Sequence, residues 1–231
     1  PDPAELRHRL VGAAGLALNA QGSINAPAAI NVSGVFELKG GTFSQVGGTL
    51  PAFSAGDFRI SGGTFVRALG GDGLSTNTAY RIADIYGLQG AGSAGMLDKN
   101  FKLANNIDAS GTVNWNASAG FKPIAAGTLF TGSLDGGGHV VDQLVINRPG
   151  DSNVGLVSYL YGGTVSNLVL TTLYARPANL KSVALDSRIG GALADSISSN
   201  ATVKGFGAEA REEARIAGVT ELWRKATIKT W

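Results

Sequence analysis

The chain has no cysteine among its 231 residues. That excludes a disulfide framework and every zinc site built on thiolates. Charge is also scarce. Asp, Glu, Lys and Arg make up 16% of the chain, against about 25% in an average soluble domain. The net charge is only +2, so there is no electrostatic case for a nucleic-acid partner. No apolar run reaches the ~18–20 residues that a membrane-spanning helix needs. Residues 7–20 (RHRLVGAAGLALNA) imitate a signal peptide. Yet Asp2 and Glu5 sit where that signal should be basic, and the chain opens on Pro1. It reads as a fragment whose export signal lies elsewhere.

Glycine is what the chain has in excess. It fills 34 of 231 positions, about twice its usual share of roughly 7%. No three-residue period runs through it, so collagen is excluded. The glycines cluster between short apolar runs, and 44% of the chain is hydrophobic. Such a pattern predicts many short strands joined by tight turns.

A repeat organises those strands. Residues 36–43 read FELKGGTF, and residues 58–65 read FRISGGTF. Phe36 and Leu38, then Phe58 and Ile60, alternate with polar neighbours, which puts one strand face in and the other out. The Gly-Gly that follows permits a sharp corner. Strand, glycine corner and strand, beginning at Phe36 and again at Phe58, describe one layer of a solenoid. We therefore expect an all-β fold, a right-handed parallel β-helix over residues 1–207. Residues 20–70 and 101–205 should stack as parallel strands about 4.8 Å apart, with Phe36 over Phe58 and Leu38 over Ile60. Residues 74–100 read as an excursion from the layers; 70–73 and 87–98 look like loops or a short helical turn, and 80–85 a strand or short helix.

The second half repeats a different unit, an apolar-Gly strand followed by a Thr-Val or Thr-Ile strand. Its copies begin near Val154, Ile189 and Ile216. The last segment, 208–231, departs in composition. Residues 208–216 (AEAREEARI) favour a helix, and Gly218 could end it. The segment is expected to be a final layer or a cap, with Leu222, Trp223 or Trp231 laid against the last core layer.

Candidate chemistry is sparse. Residues 135–139 (DGGGH) could set a carboxylate, Asp135, and an imidazole, His139, near a sugar-binding groove, though Asp and Gly at this spacing usually make a tight turn with the His half-exposed beside it. Residues 70–73 (GGDG) offer calcium one carboxylate, Asp72, where it wants six to eight oxygens. Asp108, Asp135 and Asp142, with Lys122 and Arg148, are the best candidates for a glycosidase or lyase cluster, but no spacing singles out a pair. A Ser-His-Asp triad would have to use His8 or His139, and no Gly-x-Ser-x-Gly elbow exists. We expect no catalytic, cofactor or metal site. Trp115, Phe121, Tyr159 and Tyr161 are candidates for exposed aromatics. For most of these aromatics core packing or capping of a layer end is the favoured reading; Tyr159 and Tyr161, which share a strand face at i, i+2, and Trp115 are the candidate ligand contacts. Asn31, Asn116 and Asn200 begin Asn-x-Ser/Thr triplets, which an Asn- and Ser-rich chain produces by chance.

Residues 101–108 (FKLANNID), the NWN at 114–116, residues 130–149 (FTGSLDGGGHVVDQLVINRP) and residues 153–170 (NVGLVSYLYGGTVSNLVL) together resemble filamentous haemagglutinin-like adhesins with GLUG repeats. Residues 10–70 resemble the Gly/Ala/Asn-rich layers of the same proteins. The Asn-Pro-Asn motifs of that family's secretion domain are not present, and the charged segment after Gly207 matches poorly. The resemblance implies export through an outer-membrane two-partner transporter. It also implies a place at the bacterial cell surface, and attachment to host-cell or surface glycans or proteins in virulence. The DGGGH stretch would then be part of a layer. The competing expectation is a carbohydrate-active β-helix enzyme, a polysaccharide lyase or hydrolase. It requires acidic and basic side chains converging on one layer face.

Overall fold

A computed structural model describes residues 10–151 and 153–174, together with Ala214, Ala217, Gly218 and Glu221. The chain divides into two compact units, Pro1–Tyr174 and Ala175–Trp231. In the second unit the four described residues are all helical. Gly218, expected to end a helix, is helical itself, as is Glu221 beyond it. The expected repeat from Ile189 and the expected cap residues Leu222, Trp223 and Trp231 lie outside the described residues; of the apolar-Gly strand expected at 216–219, Ala217 and Gly218 are described and are helical instead, in line with the helix-forming composition just before them.

The first unit is all-β, and its named strands pair in parallel. Four strands open it: β1 (Leu10–Asn25), β2 (Ile30–Val46), β3 (Phe53–Ile60) and β4 (Thr64–Ala68). β2 is long enough to turn a corner. Its first half pairs with β3 and its second with β4. Phe36 stands opposite Phe58 and Leu38 opposite Ile60, as the repeat predicts. Phe43 stands opposite Phe65. In-register parallel pairing repeats each side chain directly above its counterpart. The Phe36 and Phe58 rings accordingly stack at 5.3 Å, and those of Phe43 and Phe65 at 4.7 Å. Phe53 meets all four rings edge-on. This cluster is the centre of the first core.

The glycine corner between those strands has a steric cause. Gly41 and Gly63 both hold positive φ, at 84° and 76°. A Cβ on Gly63 would sit 2.4 Å from the Gly41 carbonyl oxygen, and one on Gly41 would sit 2.6 Å from that of Gly22. Each layer's corner thus leaves no room for a side chain in the next. That is why the repeat keeps GGT.

Residues 74–100 were expected to leave the layers, and they do so only in part. They contain β5 (Tyr80–Ile82), which joins a sheet, and α1 (Ile85–Gly90), which is mostly buried. Leu88 is fully buried and Met96 nearly so. The segment carries its own apolar residues into the core because the β3–β4 layer must be covered there. After it come β6 (Asn100–Leu103), β7 (Ile107–Asp108), β8 (Ser133–Asp135), β9 (Val140–Val145), β10 (Thr164–Ser166) and β11 (Val169–Tyr174). They form two sheets, in the orders β5-β6-β8-β10 and β7-β9-β11. Phe101, Leu134 and Val165 align across the first. Ile107, Val141 and Leu170 align across the second. The step from Phe101 to Leu134, like that from Ile107 to Val141, is longer than the step from Phe36 to Phe58. The extra chain lies in the loops of 109–132.

The Phe58 ring contacts five other aromatic rings and is fully buried. Phe58→Ala should therefore cost about 3–5 kcal/mol. Ser54→Ala, at an exposed position of the same strand, should change stability by less than about 0.5 kcal/mol. Chemical denaturation of the two variants checks this. Equal midpoints for both would show that the stacked rings are not the core's main support.

Candidate functional site

Trp115 was a candidate ligand contact and Phe121 a candidate exposed aromatic beside it, with core packing the competing reading for both. Both are buried, at 1% and 0% exposure. Trp115 lies under the chain between Phe58 and Tyr86, with ring centroids 5.0 and 5.1 Å away. The polar flanks Asn114 and Asn116 disguise it in the sequence. Among the described residues, its indole N–H has no hydrogen-bond acceptor.

What holds Trp115 inward is the turn that follows it. Asn116, Ala117 and Ser118 all adopt left-handed backbone, with φ of 52°, 56° and 67°. Such residues cost about 1–3 kcal/mol each unless their surroundings fix them. Here two adjacent N–H groups, of Asn116 and Ala117, donate to the Asp57 carboxylate at 2.6 and 3.1 Å. Asn116 Nδ2 closes the turn on the Gly120 carbonyl at 2.8 Å. Arg59 grips the same carboxylate from its own strand at 2.6 Å. Partial burial opposes the charge on Asp57. The Arg59 guanidinium and the Ala117 and Asn116 N–H groups outweigh it and hold the carboxyl below its ordinary range.

Tyr159 and Tyr161 are exposed, at 44% and 69%. Their backbone is fixed. Phe130 N–H donates to the Tyr159 carbonyl at 2.9 Å, and Tyr161 N–H donates to the Phe130 carbonyl at 3.0 Å. Leu160, between them, forms a parallel bridge to the buried Phe130. Leu160 is itself 51% exposed, so residues 159–161 together present an exposed apolar stretch, tied to the layer beside it by that one bridge rather than by a strand. Leu129, 48% exposed, extends the same apolar surface.

The acidic candidates do not gather in one place. Asp108 and Asp142 are register neighbours on β7 and β9, but Asp135 is on β8, in the other sheet. Asp108 accepts from the Ser110 N–H at 2.8 Å, which keeps its carboxyl below the usual range. Asp142 accepts from the Thr171 hydroxyl of the adjoining strand. Arg148 donates to the Phe121 carbonyl at 3.1 Å and to Asp151 at 3.3 Å. Lys122 meets Gln89 through its backbone, at 2.8 Å in each direction. Asp72 accepts from the Leu74 N–H at 2.9 Å and shapes its loop.

Asp135 is a corner staple. Its Oδ1 accepts from the Gly137 N–H at 2.9 Å and from Asn167 Nδ2, one layer on, at 3.0 Å. Its Oδ2 pairs with Lys102, one layer back, at 3.4 Å. The Asn167 amide, then the Gly137 N–H, hold this carboxyl below its ordinary range despite slight burial, and Lys102 adds to the effect. His139, its expected companion, instead meets Asn106 at 3.3 Å. Lys102 and Asn167 were missed in the sequence. Both are distant from Asp135 along the chain, one before it and one after, and only the strand register makes them neighbours.

No family model matches the chain, and no solved structure matches it. Over 117 residues it is 40% identical to halomucin of Haloquadratum walsbyi (strain DSM 16790 / HBSQ001). That similarity covers 48% of this chain and 1% of halomucin, so the chain spans a very small part of that relative's length.

The Asp57 clamp predicts a pH dependence. A carboxyl whose pKa is lowered in the folded state contributes stability above its unfolded pKa of about 3.9. That stability is lost as pH falls through the folded value. Asp57→Ala should remove about 1.5–3 kcal/mol near neutrality, the range for hydrogen bonds to a charged group. The difference from wild type should narrow below about pH 4. Urea denaturation of both proteins between acid and neutral pH measures it; a gap that stays constant across that range would refute the clamp.

Proposed function

We propose that this chain is a length of right-handed parallel β-helix from a large secreted surface protein, and that its role is structural and adhesive. The observation that carries the reading is the register. Phe36 over Phe58, Phe43 over Phe65, and the column Phe101–Leu134–Val165 are what repeated coils of one chain produce. Parallel strands joined by crossovers take the right-handed sense in nearly all proteins. A stack of this kind is stiff along its axis and extends by adding layers, which suits a stalk that holds contacts away from a cell.

The similarity to part of halomucin supports the surface placement. That relative bears a mucin's name, and 117 residues make up only 1% of it; a very large protein of that name fits an extended array outside the cell. The resemblance to filamentous haemagglutinin-like adhesins with GLUG repeats is the finer form of this reading. It brings export through a two-partner outer-membrane transporter and attachment to host-cell or surface glycans or proteins. Tyr159 and Tyr161 are the contact residues we assign. They are large, exposed and fixed in backbone, so they can bury area on a partner at little cost in order. The chain has no catalytic role in this reading. Asp108, Asp135 and Asp142 serve turns and neighbouring layers.

Beads coated with the purified chain should attach to cultured epithelial cells, and the double variant Tyr159→Ala/Tyr161→Ala should attach at least about fivefold less, a loss of roughly 1 kcal/mol. Unchanged attachment by a folded double variant would remove the tyrosines from the contact. The purified chain should also leave pectin, alginate and glycosaminoglycans intact. Turnover that disappears in Asp135→Asn or Asp142→Asn would replace the adhesive reading with an enzymatic one.

A further inference from the structure

The corners between the two later sheets differ in length from layer to layer. Residues 104–106 join β6 to β7, residues 136–139 join β8 to β9, and residues 167–168 join β10 to β11. The middle corner is the longest and the one after it the shortest. A step therefore opens beside residues 136–139, an open groove of about 680 Å³. Ligand sites run to about 300–1,000 Å³. Lys102, Asp135 and Asn167 line it, with Gly137, Gly138 and Val169.

Three features limit what this groove can hold. First, it sets a donor and an acceptor side by side. Lys102 Nζ lies 3.4 Å from Asp135 Oδ2, and the ammonium has three donors of which this pair uses one. Two adjacent hydroxyls, each able to donate and accept, match such a pair. Second, the pair discriminates by charge. A phosphate or sulfate would meet the Asp135 carboxylate, and a metal cation would meet the Lys102 ammonium. Third, one wall is apolar and one is bare backbone. Val169 is 52% exposed, and around the Cβ position of Gly138 there is open space. The C–H face of a sugar ring can lie against the first, and the second lets a ring approach the main chain closely.

We propose that this groove is a binding subsite for a neutral pyranose, with Lys102 and Asp135 taking a vicinal diol and Val169 the apolar face of the ring. The site is separate from Tyr159 and Tyr161, and it deepens the adhesive reading, on which it rests for its setting. Asp135 is prepared for the task by the two bonds on its Oδ1, which fix the carboxylate and leave Oδ2 directed at Lys102. Asn167 offers its amide oxygen as a further acceptor, since its Nδ2 is the atom bonded to Asp135.

The test is saturation-transfer NMR on the purified chain with glucose, galactose and N-acetylglucosamine, each alone at millimolar concentration. Inorganic phosphate and calcium serve as counter-probes, followed by amide shifts of the protein. At least one sugar should bind, with shifts centred on Gly137 and Gly138. Lys102→Met and Val169→Ser should each weaken binding about tenfold or more, roughly 1.4 kcal/mol, while Ser54→Ala leaves it unchanged. Should either groove variant lose its fold, the wild-type shift map decides alone. Absence of binding by all three sugars, shifts centred elsewhere, or phosphate binding at the groove would overturn the proposal. Failure of the surface reading is read separately, from cell attachment, so the two can fall independently.

Discussion

A strand in a parallel stack satisfies its backbone only through the strands on either side of it. Every buried N–H and C=O needs a partner, and in this chain the partner is normally the same position one layer on. That requirement fixes the register, and the register fixes everything the side chains do. Because Phe36 must pair with Phe58, their rings must stack. Because Gly22, Gly41 and Gly63 meet layer upon layer at one corner, neither Gly41 nor Gly63 can carry a Cβ. Hydrophobic burial supplies the driving force, at about 1.5–3 kcal/mol for a fully buried phenylalanine, but the backbone decides which phenylalanines meet.

The same requirement explains the irregular middle of the unit. Beyond β3 and β4 the regular stack stops on most of the layer, and side chains take the place of the missing strand. The Tyr86 hydroxyl accepts from Ala55 N–H at 3.0 Å, and Ser93 Oγ accepts from Phe65 N–H at 2.9 Å. Gln89 goes further, exchanging both a donor and an acceptor bond with the backbone of Lys122, as a strand residue would. An open sheet edge recruits other chains; here α1 and the turn after Trp115 cover it. One interior polar column also crosses this region. Arg67, 5% exposed, is neutralised by Asp84 at 2.7 Å and held by Gln45 and the Pro51 carbonyl. Its guanidinium lies over the Phe53 ring at 5.4 Å. A buried cation so fully paired keeps its place, and it ties the loop before β3 to the segment before α1.

Outside the stack, polar side chains repeat across layers just as the apolar ones do within. Lys102 with Asp135, and Asp135 with Asn167, join three successive layers at one corner. Asp142 with Thr171 joins two layers on the other sheet. Exposed pairs of this kind contribute little stability each. Their effect is to set the path of the corners, and unequal corners are what shape the outer surface. Identical corners from layer to layer would leave that surface smooth. The groove beside residues 136–139 lies where loop length changes from one layer to the next.

The sequence by itself determined the strand-and-corner alternation, the step from Phe36 to Phe58 and the companion pair Leu38–Ile60. These are local facts, since period-2 burial and the need for positive φ are both written in adjacent residues. It did not settle the setting of Tyr159 and Tyr161, read as one face of a strand: the structure has only an isolated bridge at Leu160 there, and all three side chains are exposed. Only the tertiary structure decided the fate of Trp115, because an aromatic between two asparagines looks exposed until Asp57, far earlier in the chain, captures the turn after it. Likewise only the structure brought Lys102 and Asn167 to Asp135, and turned the segment from Ile85 to Met96 from an excursion into core. Those relations depend on layer-to-layer steps whose length the loops vary freely. Register is a property of the assembled backbone ladder, and a chain with uneven loops does not reveal it one residue at a time.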